Sequence, residues 1–304
     1  MTADGFAREV DDAVARALAE DLGVEAAALL AASPTVLERD VTTTALFDAA
    51  GRFTGAVNAR QACVVCGVAA AQRAFTMLAE AAALAGELRA TPLVADGDEV
   101  EAGASVLWVE GPARVVLAAE RTALDFLMVL SGIATEARRW QRAAGPSLKV
   151  YDTRKTCPGL RALSKHAVAA GGAHNHRTGL WDMVLIKDNH VARVGSVAEA
   201  VCRAKTARPD LLVEAEAENL ADAVAAVEAG ADVVMLDNMD DDAVAAAVGA
   251  VRGVAASAGR SVEVEVSGRV TIERLPRLAA LGVDRVSTSR ITLAPPIDFG
   301  LDEE

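Results

Sequence analysis

Two rhythms of apolar and polar positions divide the chain. Residues 6–22 (FAREVDDAVARALAEDL) set apolar side chains three and four apart, which predicts an amphipathic helix. Residues 24–48 are alanine-rich and fit no single period, 53–68 read as extended, and 69–87 return to a helical pattern. Residues 92–117 fall into short strand-like runs at Asp-Gly and Glu-Gly turns, a small β-rich module. One long helical pattern follows at 118–144, with Ser131-Gly132 as a candidate break.

The rhythm then changes. Strand-like runs occur at 148–152 (LKVYD), 183–187 (MVLIK), 211–216 (LLVEAE), 232–237 (DVVMLD), 262–266 (VEVEV) and 284–288 (DRVST), with helical stretches such as 219–229 and 273–281 between them. The same helix-to-strand turn recurs as Ala-Gly-Ala-Asp at 229–232 and Leu-Gly-Val-Asp at 281–284. This spacing is that of β/α units, in a parallel barrel or an open α/β sheet. Asp152, Lys187, Glu216, Asp237 and Ser267 each stand at or just past the C-terminal end of a strand-like run. A barrel brings five such residues to one rim, whereas an open sheet spreads them along a crevice. The predicted class is therefore α/β, a β/α barrel preceded by an α/β module of roughly 120 residues.

Composition narrows the function. At 304 residues the chain can bury a substantial core, in one large domain or two modest ones. A net charge of −13 argues against a general polyanion binder, and 3% aromatic residues leave little for stacking bases, so nucleic acid is not an expected partner. No apolar run reaches the ~18 residues of a membrane span. The opening MTADGFAREVDDAV has neither the basic start nor the apolar core of a signal peptide, and four cysteines make no disulfide framework. A cytoplasmic location is expected. Cys63-Val-Val-Cys66 has metal or redox spacing but no second pair, and is read as buried apolar thiols. Residues 92–111 lack the turn lysine of a swinging-cofactor carrier.

Against this acidic background, residues 151–190 carry six Lys or Arg and only three Asp, together with all four histidines. Arg154 and Lys155 follow one strand, Asn175, His176 and Arg177 follow Gly171-Gly172, and Lys187-Asp188-Asn189-His190 ends the next strand. Arginine offers a planar fork to carboxylate or phosphate and lysine a compact charge. So many cations at one rim suit a polyanionic substrate or two anionic ones. Glu214, Glu216 and Asp237 form an opposing acidic set, the kind that holds a divalent cation or sugar hydroxyls when it is not merely solvated.

The run 151–191, YDTRKTCPGLRALSKHAVAAGGAHNHRTGLWDMVLIKDNHV, resembles the quinolinate phosphoribosyltransferases (carboxylating nicotinate-nucleotide pyrophosphorylases). The likeness extends to ARALAEDLG at 15–23, to 110–135 and to 213–239, most of the chain. It implies an N-terminal α+β sandwich domain over 1–123, with the tail 291–304 packing back on it, and a barrel of about seven strands over 124–290. It implies a carboxylating pentosyltransferase of NAD biosynthesis: quinolinate and phosphoribosyl pyrophosphate give nicotinate mononucleotide, pyrophosphate and carbon dioxide, with Mg²⁺. It implies a homodimer in which Arg121 completes the neighbour's site. Thr153, Arg154, His176 and Arg177 would bind substrate, Lys155 and Lys187 would lie close to both substrates, and Glu216 and Asp237 would face the ribose hydroxyls and the metal. Ser267, Gly268, Arg269, Thr288, Ser289 and Arg290 would form the two 5′-phosphate loops.

Those loops depart from the resemblance. The family reads Ser-Gly-Gly and a Val-Gly-Ala-like turn, where this chain has Ser267-Gly268-Arg269 and Thr288-Ser289-Arg290. A backbone phosphate cradle relies on glycine for close approach. Arg269 and Arg290 either grip the phosphate by their side chains, block it, or admit another ligand. The glycine run is Gly171-Gly172-Ala173 with His174 added, 24–38 reads as an insertion, and 291–301 lacks the usual Thr-His-Ser. Three readings stand: the NAD-pathway enzyme, a paralogue acting on another heteroaromatic acid, and a non-catalytic ligand-binding homologue. A Schiff-base aldolase built on Lys187 would leave the surrounding arginines unexplained.

Overall fold

A computed structural model describes residues 2–31 and 33–304. The first half of the chain forms α1 (Ala3–Leu22), α2 (Ala26–Leu30), α3 (Val41–Leu46), β1 (Arg52–Ala59), β2 (Cys63–Val64), α4 (Val68–Ala81), β3 (Arg89–Pro92), β4 (Glu99–Val100), β5 (Ser105–Pro112) and α5 (Ala113–Ala144). The second half forms β6 (Lys149–Tyr151), α6 (Arg161–Ala170), β7 (Val184–Ile186), α7 (Asp188–Val194), α8 (Val197–Ala207), β8 (Val213–Ala217), α9 (Leu220–Glu228), β9 (Val233–Asp237), α10 (Asp241–Ser257), β10 (Glu263–Ser267), α11 (Leu275–Ala280), β11 (Arg285–Ser287) and β12 (Phe299–Glu303). The chain forms two compact units. One holds 1–136, 157–172 and 293–304, the other 137–156 and 173–292. No helix among the described residues is long and apolar enough to cross a membrane.

In the first unit a sheet of order β12-β1-β5-β3 runs antiparallel throughout, and β2 pairs with β4 beside it. Helix α1 opens with Thr2 accepting from the Gly5 N–H (3.2 Å) and closes at Gly23, whose φ of 62° only glycine adopts freely. Phe75, Met77 and Leu78 of α4, Leu107 of β5 and Leu124 and Leu127 of α5 are fully buried and form the core. The break expected at Ser131-Gly132 does not occur, because α5 runs unbroken through it. Ser131 instead turns its hydroxyl to the Cys66 backbone, accepting from N (3.0 Å) and donating to O (3.2 Å). Gly132 is small for another reason: a Cβ there would lie 2.3 Å from the Pro295 carbonyl oxygen. Gly132→Ala is therefore expected to cost about 1–3 kcal/mol through overpacking, read from the denaturant midpoint; an unchanged midpoint would contradict that contact.

In the second unit the strands are parallel, in the order β6-β11-β10-β9-β8-β7. All six strand-like runs of the sequence become these strands. The seventh is reduced to one parallel bridge, Tyr151 to His174, on the open side of β6. Inward-facing residues show the curvature. Arg285 on β11 reaches Glu214 on β8, three strands away, at 3.1 Å, which a flat sheet would forbid. The outward set (Val213, Ala215, Val234, Leu236, Val264, Val266, Val286) is buried under helices, while the inward set is largely polar. Strands of parallel sheets are normally apolar on both faces, so the polar interior marks where function displaces simple packing.

Candidate active site

The C-terminal ends of these strands surround a cavity of about 170 Å³. Asp152, Thr153, Arg154 and Lys155 line it from the loop after β6, and His176 and Arg177 from the glycine-led loop. Lys187, Met235, Ser267 and Ser287 line it from the ends of β7, β9, β10 and β11. Local bonds fix these loops. Asp152 is wholly buried and its Oδ1 accepts the His176 N–H (2.8 Å). The Lys155 N–H donates to Thr153 Oγ1 (3.1 Å), and the Lys155 carbonyl accepts from Thr292 Oγ1 (2.7 Å). The Arg177 guanidinium is held below its usual range, first by burial and then by the positive charge of Arg154 nearby. Two guanidinium groups lining one cavity make a receptor for a dianion, which would relieve the repulsion that Arg177 feels.

Lys187 Nζ pairs with Glu216 Oε2 at 3.2 Å. The Lys187-Asp188-Asn189-His190 motif follows the end of the strand, as the sequence implied. The strand stops at Ile186, Asp188 begins α7, and His190 Nδ1 accepts the Lys187 N–H (2.9 Å). Asp237 ends β9 opposite Ser267 of β10 and accepts from the Asn238 side chain at 2.5 Å. Neither Glu216 nor Asp237 is among the residues lining the cavity. Gly268 (φ 75°) and Arg269 (φ 51°) are both left-handed, and an arginine in that region is uncommon. Arg269 and Arg290 are exposed, while Thr288 is buried with its N–H on the Tyr151 carbonyl (3.0 Å). Arg121 lies in the first unit, exposed and 3.4 Å from Asp125, and is not among the residues lining the cavity.

One member of the acidic set is elsewhere. Glu214 does share a strand face with Glu216, but it lies below the cavity, fully buried. With it are two groups the sequence reading missed, Glu265 (0% exposed) and Arg285 (5%). The Arg285 guanidinium lies 2.7 Å from Glu265 and 3.1 Å from Glu214, and donates to Glu263 at 3.2 Å. His176 faces the same pair, with Nε2 2.9 Å from Glu214 and Nδ1 accepting the Arg177 N–H (2.8 Å). Both ring nitrogens thus face protein groups. His176, Glu214 and Glu265 cluster closely enough for a metal. However, the fixed cation of Arg285 already occupies the charge they offer. The sign of these residues in the sequence is a glutamate between valines in VEVEV, an anomaly in a doubly covered strand.

Burial, then the charge of Glu214, pushes the Glu265 carboxyl up to about 7. The folded chain therefore holds a proton that the unfolded chain releases near the ordinary glutamate value. That contribution to stability is complete below the unfolded value and is lost as pH rises through about 7. Between pH ~4.5 and ~7 the parent is expected to lose stability relative to Glu265→Gln; parallel pH profiles of stability for the two would rule this out.

The chain matches the family described as quinolinate phosphoribosyl transferase, its C-terminal domain over residues 133–302 and its N-terminal domain over 40–131. It is 39% identical over 265 residues to the Mycobacterium leprae nicotinate-nucleotide pyrophosphorylase [carboxylating], covering 86% of this chain and 90% of that one. To the human enzyme of the same name it is 39% identical over 211 residues, 68% and 70% of the two chains. Among solved structures, the Francisella tularensis nicotinate-nucleotide pyrophosphorylase superposes with a TM-score of 0.84 at 33% identity, over 98% and 97% of the chains. NadC from Streptococcus pyogenes does so with 0.83 at 36%, over 97% of each.

Proposed function

The chain belongs to the quinolinate phosphoribosyl transferase family, and on that premise we propose that it transfers phosphoribose from phosphoribosyl pyrophosphate to quinolinate with loss of carbon dioxide, a step of NAD biosynthesis. The observation that carries the reading is the convergence of Arg154, Lys155, Arg177 and Lys187 on one cavity, with the Arg177 guanidinium depressed by burial and then by Arg154. Arg154 and Arg177 receive the two quinolinate carboxylates. The C1–O bond to pyrophosphate breaks as the pyridine nitrogen bonds to C1. The ring, now cationic, takes up the electrons of the bond to the 2-carboxylate, so carbon dioxide leaves and C2 takes a proton. Lys155 and Lys187 offset the charge growing on the departing pyrophosphate. No covalent nucleophile is required, since positioning and electrostatics suffice. His176 acts from beneath, holding the Arg177 backbone through Nδ1.

Magnesium is the proposed cofactor. Glu216 and Asp237 end neighbouring strands and supply hard oxygen donors, and no third ligand clusters with them among the described residues. An ion that keeps its waters and takes phosphate oxygens suits such an open pair. When bound it would neutralise pyrophosphate charge. Arg269 and Arg290 stand at the two loops beyond β10 and β11 and are proposed to grip the 5′-phosphate by side chain, in place of a glycine cradle. The exposed Arg121 is proposed to complete the site of a second copy in a homodimer, and the enzyme is proposed to be cytoplasmic.

Incubation of the purified chain with quinolinate, phosphoribosyl pyrophosphate and Mg²⁺ is expected to give nicotinate mononucleotide, detected by mass spectrometry and lost when a chelator removes the metal. A folded protein that yields none would overturn the proposal and turn attention to other heteroaromatic acids.

A further inference from the structure

Within the first unit, three residues meet that no part of this chemistry uses. Cys66 immediately precedes Gly67, the N-cap of α4; Asp96 lies in the turn before β4; and His166 lies on α6. A thiol sulfur, a carboxylate oxygen and an imidazole nitrogen from these three segments all lie within 4.8 Å of one another. We propose that Cys66, Asp96 and His166 form a binding site for one divalent metal ion of the zinc class, separate from any magnesium at the substrate site.

The ligand atoms are prepositioned. Asp96 uses Oδ1 to accept the Gly67 and Val68 N–H groups (2.9 and 3.0 Å), leaving Oδ2 turned to His166 Nε2 at 2.8 Å. The Cys66 N–H is held by Ser131 Oγ, and Phe6 packs against the His166 ring with centroids 4.4 Å apart. Supporting contacts of this kind orient metal ligands. Burial grades outward: Cys66 is wholly enclosed, the Asp96 side chain is 17% exposed and that of His166 35%. An ion can thus enter on the histidine side and keep a water there as its fourth ligand.

The donor set selects the metal. Sulfur and imidazole favour zinc-like ions over magnesium or calcium. Charge balances as well. The ion displaces the Cys66 proton to solvent, and the His166 proton shifts from Nε2 to Nδ1. Thiolate and carboxylate then neutralise the dication. Without metal, burial and then the Asp96 charge push the Cys66 thiol well above its usual range, so the bare site keeps its thiol proton. Cys63, the other half of the Cys-x-x-Cys spacing, is no member of the group.

Cobalt(II) titration of the full chain tests the site, with the exposed Cys157 and Cys202 changed to serine to remove other thiolates. One equivalent is expected to bind with a near-ultraviolet thiolate-to-cobalt band, and Zn²⁺ should bleach it. Cys66→Ser and His166→Ala should each abolish the band, and Cys63→Ser should keep it. Zn²⁺ should raise the Tm of the parent but not of Cys66→Ser, whose metal-free circular dichroism and Tm should match the parent's. The proposal fails if no band forms, if the band survives Cys66→Ser, or if Cys63→Ser removes it as completely. Mg²⁺ at the substrate site gives no thiolate band, so failure here leaves the enzymatic reading intact.

Discussion

Lys155→Ala is expected to lower the rate of nicotinate mononucleotide formation at least about 100-fold, the scale seen when one preorganised stabiliser of transition-state charge is removed. Lys155 sits on a short loop whose backbone is pinned at both ends, its N–H to Thr153 and its carbonyl to Thr292. The side chain therefore joins Arg154 and Arg177 in lining the cavity from a fixed base. Charge builds on pyrophosphate as the C1–O bond lengthens, so the loss should fall on kcat more than on KM. Lys155→Arg should recover little, because a planar fork does not replace a compact charge. The side chain is exposed, so stability should change by no more than about 0.5 kcal/mol. Pyrophosphate release measured over a range of both substrates decides it. A kcat within about fivefold of the parent would remove Lys155 from the chemistry.

The largest loss of stability is expected from Arg285→Met. Glu214 and Glu265 have no exposed surface, and the guanidinium is the fixed cation between them. Removing one partner of a buried charge pair costs about 3–5 kcal/mol, because what remains is an uncompensated charge in a medium that solvates it poorly. Urea unfolding should show that loss, and Glu265→Gln added to the same chain should recover part of it. The recovery separates charge from packing. A methionine that fails only by its shape would be made no better by neutralising a glutamate. Should Arg285→Met unfold at the parent's midpoint, the buried cluster contributes nothing to holding the barrel together.

The barrel strands were legible because short apolar runs recur at the spacing of β/α units, two of them entered through the same glycine turn at 229–232 and 281–284. The mouth was legible because Arg154, Lys155, His176, Arg177 and Lys187 crowd into one stretch of an otherwise acidic chain. The interior was not. Glu265 shows only as a charge between valines in VEVEV, and its pairing with Arg285 and Glu214 depends on the sheet's curl bringing β11 over β8, a long-range fact that no local window contains. Ser131 and Gly132 failed as a helix break for a similar reason, since their smallness answers to Cys66 and Pro295, distant in the chain. Cys63 and Cys66 are both buried, as their apolar surroundings in the sequence suggest; that Cys66 meets Asp96 and His166 was not legible, because no motif links the three.

The edge of the first unit's sheet bears on how the protein is made. Strand β1 is flanked on one side by β12, and Asn58 and Arg60 both donate to Asp302, the first across 244 positions of sequence. Every strand of the barrel is synthesised in between. On the ribosome, β1 must wait with its backbone donors and acceptors unpaired while the whole second unit emerges, an open edge onto which a second nascent chain can add. A chain shortened just before Phe299 would keep that edge permanently. Its foreseeable fate is self-association rather than loss of the cavity's cations, so a truncated enzyme would be scarce in the soluble fraction before it was slow.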